Sequence, residues 1–381
     1  MKSRILFCIT VYNGRAFVPR TLESAARLSR ENADVDFLVL DDCSPEPGWS
    51  DELKALCQAH GFSYYRSPRN LGIPRNVNLG LRSAMRGEYD HVVISNSDVI
   101  YPANLIDEFE RAGRDESVGS VTAWSTNASV YSLPNADPDT FVAEQGVVDW
   151  ISASIAGNFA GALMDIPAGI SFCILIPTRV LRHVGLTDPV FGRGYCEETD
   201  WSLRSLSLGY RVTLAPGVFV YHAGGGSNVD AGLLSAGQTT VPANEAIIDL
   251  RYPQFRDQVD AFMSSGILQG AHRDAIERIV VDGGRQFGYT IEVGWLVRPS
   301  GTAGHVRCII APDRTASVRM EFMGFSFVHE LSEDEDASTV LRELFGREPA
   351  EVNLYDRGAV TDALQSASGM AADRFFYPTR V

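Results

Sequence analysis

Residues 4–14 read Arg4-Ile5-Leu6-Phe7-Cys8-Ile9-Thr10-Val11-Tyr12-Asn13-Gly14. A short apolar run stops at Tyr-Asn-Gly, and apolar positions then recur at helical spacing through Phe17, Val18, Leu22, Ala25, Ala26 and Leu28. This is a strand, a turn and a helix. A second run at 35–40 stops at Asp41-Asp42-Cys43-Ser44-Pro45, and a helix through Leu53, Leu56 and Cys57 leads to a third strand at 62–66. The β-α-β-α-β order predicts a parallel sheet with helices on both faces, and such sheets bind ligands at the carboxyl ends of their strands. The polar residues after the first two strands stand where a ligand would.

Further along, Arg69-Asn70-Leu71-Gly72-Ile73-Pro74-Arg75-Asn76-Val77-Asn78 opens a helix that continues through Leu79, Leu81, Ala84 and Met85. A fourth strand at 91–95 ends in Asn96-Ser97-Asp98-Val99, and a helix follows at about 102–112. Asp98 at this strand tip either faces the crevice or serves as a turn aspartate. A strand at 119–123 gives way to a long irregular stretch, 125–168, of a length that loops reach mainly where they carry function. The core resumes at 170–176, with a short helix at 178–184. Next comes Phe191-Gly-Arg-Gly-Tyr-Cys-Glu-Glu-Thr-Asp-Trp-Ser-Leu-Arg204, which places Glu197, Glu198 and Asp200 at the start of a helix through Trp201, Leu203, Leu206 and Leu208. Acids there offset the helix dipole and cap free N–H groups, or they do chemistry. Strands at 210–214 and 218–221 follow, the latter ending in His222-Ala-Gly-Gly-Gly-Ser227.

The regular alternation lapses at 230–241, which places a domain boundary near residue 236. Residues 1–235 form the first domain and 236–381 an α+β accessory domain. In the latter, 244–281 is helical, with Ile247, Ile248, Leu250, Phe255, Val259, Phe262, Ile276 and Ile279 as core, ahead of strands at 287–297, 306–311 and 318–328 and a helix at 337–345. Phe322, Phe325 and Phe327 read as strand core rather than as a sugar platform. A net charge of −15 argues against nucleic-acid or anionic-membrane partners, and an anionic ligand would need a cation. The six cysteines show neither C-x-x-C pairing nor metal-ligand spacing, which suits a reducing cytoplasm. No secretory signal is legible in the first apolar run, and the most apolar tract, 150–177, is broken by Asn158, Asp165 and Pro167, so no membrane span is expected.

Taken in order, Thr10-Val11-Tyr12-Asn13, Leu40-Asp41-Asp42-Cys43-Ser44, Arg69-Asn70-Leu71-Gly72 through Asn78-Leu79-Gly80, Asn96-Ser97-Asp98 and the acidic segment 194–204 resemble glycosyltransferase family 2. These are the inverting nucleotide-sugar enzymes of the GT-A fold, and within them the rhamnosyltransferase-like enzymes of bacterial surface glycans are the nearest likeness. The resemblance covers the first 230 residues. It implies a Rossmann-like mixed sheet flanked by helices, with the α+β appendage outside it. It further implies that Thr10, Val11, Asn13, Asp42, Asn70, Arg75, Asn96, Ser97 and Asp98 bind the nucleotide sugar. Asp98 and His222 would hold a divalent cation, Mn²⁺ or Mg²⁺, on the diphosphate. Glu198 would be the catalytic base with Glu197 as runner-up, and Asp200, Trp201 and Arg204 acceptor contacts or scaffold.

The implied reaction moves a hexosyl or deoxyhexosyl group to a glycan, lipid-linked or protein acceptor. The protein would lie in the cytoplasm or at the inner membrane face, with a homodimer formed through the C-terminal region. Asn96-Ser97-Asp98 carries one acid where the family motif has two, which keeps open a catalytically silent sugar- or nucleotide-sugar-binding protein on the same fold. An oxidoreductase is disfavoured, because the first turn lacks G-x-G-x-x-G.

Overall fold

Strand β1 (Ser3–Val11) is buried through its middle on both faces, as a run with no polar alternation requires of a strand inside a parallel sheet. The structure is a computed structural model that describes residues 2–133, 141–224, 241–294, 304–311, 314–332 and 334–354. Two compact units divide it, the first Met1–Ser132 with Ala143–Gln269 and the second Leu133–Val142 with Gly270–Val381. The boundary expected near residue 236 lies outside the described residues.

In the first unit, β1 is followed by β2 (Ala33–Asp41), β3 (Ser63–Arg66), β4 (His91–Ser95), β5 (Val99–Ile100), β6 (Val118–Ser125), β7 (Met164–Asp165), β8 (Cys173–Pro177) and β9 (Arg211–His222). They form one mixed sheet in the order β3-β2-β1-β4-β8-β6-β9-β5, with β7 on β9. The first four strands are parallel; β8 runs against both β4 and β6, and β9 runs parallel to β6. The carboxyl ends of β1, β2, β4 and β9 therefore share one edge. The mixed sheet flanked by helices expected from the sequence is what this unit shows.

Helices α1 (Val18–Ala26), α2 (Trp49–His60), α3 (Ile73–Arg86), α4 (Leu105–Gly113), α5 (Gln145–Phe159), α6 (Thr178–Val184), α7 (Glu197–Ser207), α8 (Pro242–Arg251) and α9 (Phe255–Ser264) complete the unit. One face of the sheet buries Leu6, Cys8, Leu40, Val92 and Ile174 against Val77, Leu81 and Ala84 of α3, Leu181 of α6 and Trp201 of α7. On the other face the Phe7 ring packs 5.3 Å from Phe37 and edge-on to Tyr101 at 5.1 Å. Helix α5 corrects the irregular reading of 125–168. Its apolar residues are not confined to one stripe, and Ser, Gly and Asn within it imitate loop composition, so the period is blurred. It still buries Val148, Ile151, Ser152 and Ile155 at helical spacing, and Ser152 Oγ accepts the Phe219 N–H of β9. The two strands expected at 210–214 and 218–221 are one strand, whose register against β6 slips after Ala215.

His91 at the start of β4 is buried, its ring pressed against Gly113 and its Nδ1 without a partner. Burial lowers its pKa to about 4. The unfolded chain binds this proton near pH 6.5 and the folded chain only near 4, so stability is complete above about 6.5 and falls as pH drops toward 4. At one pKa unit per 1.36 kcal/mol, the loss reaches roughly 3 kcal/mol. Urea titrations of His91→Gln across pH 4–7 are expected to lose this part of the pH dependence.

The second unit carries α10 (Ile267–Phe287), most of which lies in it, then β10 (Tyr289–Val293), β11 (Val306–Ala311), β12 (Arg314–Phe322), β13 (Phe325–Glu330), α11 (Ala337–Phe345) and β14 (Glu351–Leu354). Its sheet runs β13-β12-β11-β10-β14. The single strand expected at 318–328 is a hairpin: Met323 and Gly324 both have positive φ, at 50° and 84°, the form of a two-residue turn whose signal a methionine hides. Phe322 and Phe325 face each other across it and are buried, consistent with core. Leu250, expected in the core, is 84% exposed because the buried face of α8 runs through Asn244 and Ile248, and Leu250 lies 200° around the helix from Ile248.

Candidate functional site

Strand pairing brings the sequence-defined strand ends together. Ile9 lies beside Ser95 and Val11 beside Asp41, and Thr10 Oγ1 donates to Ser95 O at 3.1 Å. Asn13 adopts a left-handed conformation; its N–H donates to Ser44 Oγ at 2.8 Å and its carbonyl accepts the Trp49 indole N–H. Its Oδ1 is buried without a partner. Val11 is buried and accepts the Asp42 N–H, and Ser97 is buried with its carbonyl accepting Thr21 Oγ1. Asp41, although adjacent to the crevice, is consumed by the fold: it accepts from Ser44 N, Ser50 Oγ and Tyr64 OH and sits 3.2 Å from Arg66 Nε.

Asp42 ties this edge to the next loop. Its two oxygens accept the Leu71 and Gly72 N–H groups at 2.7 and 2.9 Å, and burial raises its carboxyl pKa against the pull of those bonds. Asn70 is exposed and its Oδ1 accepts the same Gly72 N–H; Arg75 is exposed at the first turn of α3. The loop in turn meets the acidic segment. Ile73 N donates to Arg193 O, and a Cβ on Gly72 would sit 2.4 Å from Gly192 O, so only glycine fits there at φ 80°. A chain of contacts thus runs from the β2 tip to the segment that carries the acids.

Asp98 and His222 form a buried pair at the sheet edge, set by the pairing of Val99 with His222 between β5 and β9. His222 Nδ1 lies 2.6 Å from Asn127 O, which places a proton on Nδ1 and leaves Nε2 facing Asp98 Oδ1 and Asn96 Nδ2, both at 3.2 Å. Asp98 Oδ1 is buried with no hydrogen-bond donor in good geometry. Burial works against charge on His222, yet Asp98 and the Asn127 carbonyl outweigh it and raise its pKa. Phe172 stacks on the imidazole at 5.3 Å. A carboxylate and an imidazole lone pair turned toward each other suit an added proton or a cation, so these residues fit a divalent ion with oxygen and nitrogen ligands. Among the described residues, no third His, Cys, Asp or Glu joins the pair.

The acids open α7 through a strained turn, with Tyr195 and Cys196 both at φ 73°. Glu197 is buried and Glu198 half-buried, and each has an Oε2 without a partner. Burial pushes the Glu197 carboxyl well above the usual carboxylate range and the adjacent Glu198 adds to this; burial raises Glu198 as well. Asp200 is enclosed, accepting from Arg204 Nε, Arg251 NH1 and Tyr252 OH at 2.8–2.9 Å. Arg204 also donates to Val184 O and Leu186 O. Asp200, Arg204, Arg251 and Tyr252 border an open cleft of about 590 Å³. Trp201 is a core residue, 2% exposed, its indole N–H donating to Gly185 O. Asn127, Phe172, Asn244, Arg251 and Tyr252 were not legible as site residues, since each acts through a partner at least 49 positions away.

Residues 6–166 match the model of glycosyl transferase family 2. This segment holds every strand end from Thr10 to Asp98, while the acidic segment and His222 lie beyond it. No match is found among curated proteins. Similar solved structures include GalNAc-T7 with UDP, GalNAc and Mn²⁺, at 12% identity over 58% of this chain and 44% of that one, with a TM-score of 0.45. Another is the mannosyltransferase PcManGT from Pyrobaculum calidifontis in complex with GDP-Man and Mn²⁺, at 14% identity over 72% of this chain and 74% of that one, with a TM-score of 0.44. The chain spans less than half the length of the first of these. The family 2 segment supports glycosyl transfer as the activity of this unit. Among the described residues, no helix is long and apolar enough to cross a membrane.

Proposed function

We propose that the protein transfers a hexosyl or deoxyhexosyl group from a nucleoside-diphosphate sugar to an acceptor hydroxyl, with inversion. The observation that carries this reading is the buried Asp98–His222 pair at the carboxyl edge of a sheet whose strand ends belong to the family 2 segment. Thr10, Val11, Asn13, Asp42, Asn70, Arg75, Asn96 and Ser97 would border the nucleoside and its ribose. Asp98 and His222 would hold a divalent cation, Mn²⁺ or Mg²⁺, which when bound offsets the diphosphate charge.

Inversion requires one displacement. The acceptor oxygen attacks the anomeric carbon, its proton passes to Glu198, and the bond from that carbon to the phosphate oxygen breaks, so the nucleoside diphosphate leaves with the electron pair. Glu197, held further above the usual carboxylate range, keeps its proton and donates to a donor or acceptor hydroxyl. Asp200 and Arg204 would shape the acceptor side. The acceptor is a glycan, lipid-linked or protein hydroxyl, with a bacterial surface glycan the favoured case. A cytoplasmic setting accords with six unpaired cysteines, and we assign the C-terminal region to dimerisation or acceptor docking.

Asp98→Ala and a chelator are each expected to lower transfer on the order of 100-fold or more. Full activity under both conditions sinks the cation assignment. The silent-binder reading draws on Asn96 standing where a second acid is usual; measurable hydrolysis of a nucleotide sugar by the wild-type protein disposes of it.

A further inference from the structure

Helix α8 starts 38 residues after Arg204, the end of the acidic segment, yet its inner face packs on that segment. Asn244, Ile248, Arg251 and the next residue, Tyr252, recur at i, i+4, i+7 and i+8 and so share one face. Ile248 packs with Phe191 and Leu203. Arg251 bridges Asp200 and Asp188 at 2.8 Å each, and the Tyr252 hydroxyl reaches Asp200. Asn244 is buried, and its Nδ2 lies 2.7 Å from Gly194 O, 2.9 Å from Tyr195 O and 3.1 Å from Phe191 O.

The turn into Glu197 needs holding. Two consecutive non-glycine residues with φ of 73° are disfavoured, since the left-handed region crowds Cβ against the backbone. They also leave three carbonyl oxygens converging on one point, where they repel unless a donor sits among them. Asn244 supplies that donor, and its two hydrogens are shared by three acceptors.

We propose that Asn244 is a positioning residue for the acid pair: by gathering the carbonyls of 191, 194 and 195 it fixes the left-handed turn that aims Glu197 and Glu198 from the start of α7. This rests on the reading of the pair as the acid–base machinery, and it draws a residue from beyond the family 2 segment into the reaction. The other titratable or charged groups around the turn include Arg193, Tyr195 and Cys196 within the segment, Glu245 on α8 and Arg256 on α9.

The test compares Asn244→Ala, Asn244→Ser, which keeps one donor, and Leu250→Ala on the exposed face of the same helix. Two measurements are made: transfer kinetics against pH, and carbon-13 titration of the Glu197 and Glu198 carboxyls without substrate. For Asn244→Ala we expect kcat to fall about 100-fold, the cost of a misplacement near 1 Å, with KM for the nucleotide sugar unchanged. The carboxyl titrations should move down toward the ordinary value of about 4.3. Asn244→Ser should fall between, and Leu250→Ala should match wild type. If Asn244→Ala does not fold, the Asn244→Ser titration decides. Wild-type carboxyl titrations in a folded Asn244 variant overturn the proposal. If the wild-type protein transfers no sugar, the functional reading fails, and the carboxyl titration still decides whether Asn244 sets the pair.

Discussion

Glu198→Gln is expected to lower kcat by about 10²–10⁴-fold, the usual contribution of a positioned general base, while KM for the nucleotide sugar stays near its wild-type value. The two adjacent glutamates differ in a way that makes the comparison sharp. Glu197 is the more buried, and burial together with the adjacent Glu198 pushes its carboxyl well above the usual carboxylate range; Glu198 is half-buried, and burial raises its carboxyl as well. Glutamine in place of a protonated carboxyl is a small change, so Glu197→Gln should cost no more than about tenfold in the same assay. The reverse pattern would transfer the base role to Glu197. Stability gives a second readout. The Glu197 carboxyl has a folded pKa above its unfolded one, so it stabilises the protein below the unfolded value and loses that contribution as pH rises toward the folded one. Glu197→Gln should therefore melt higher than wild type at pH 7.

The largest stability loss is expected for Arg307→Ala in the second unit. Arg307 and Glu292 are buried on neighbouring strands and make two parallel bonds, Nε to Oε1 at 2.8 Å and NH2 to Oε2 at 2.7 Å; Glu321 on β12, paired with Arg307, stands 3.2 Å from NH1. A buried pair adds little over apolar residues of the same shape, but removing one member strands the other charge, at about 3–5 kcal/mol. Chemical denaturation followed by hydrogen exchange should place the loss in β10–β12. An Arg307→Met, Glu292→Leu double variant should recover much of it, since no charge is then left buried. A single variant within about 0.5 kcal/mol of wild type would contradict this account.

The first unit was legible because its central strands are buried on both faces and its turns are rich in Asn, Asp and Gly. β1 and β4 are nearly continuous apolar runs, β2 becomes one from Phe37 to Leu40, and α3 has a well-defined apolar stripe, whereas Leu206 and Leu208, read with the stripe of α7, are exposed. What escaped reading has physical reasons. α5 is apolar on too many sides to show its period, and a hairpin through Met323 lacks the usual turn residue. Asp42 stood out as a ligand candidate, but it is the fold that brings both its oxygens to backbone N–H groups 29 and 30 residues on. Asn244 stands in the first turn of a helix, and nothing local tells that its amide serves carbonyls some 50 positions earlier. Helix faces are written in the sequence, whereas the partner across a contact is not.

The central claim is that a cation held by Asp98 and His222 recruits a nucleoside diphosphate to the sheet edge. Calorimetric titration of UDP-, GDP- and dTDP-sugars into the protein, each with and without Mn²⁺, tests it most directly. The account predicts that one nucleotide binds, that binding is lost without the metal, and that Asp98→Ala abolishes it in both cases. Tight binding of a nucleotide sugar that ignores both Mn²⁺ and Asp98→Ala, or no binding by any of the three with Mn²⁺ present, would contradict it.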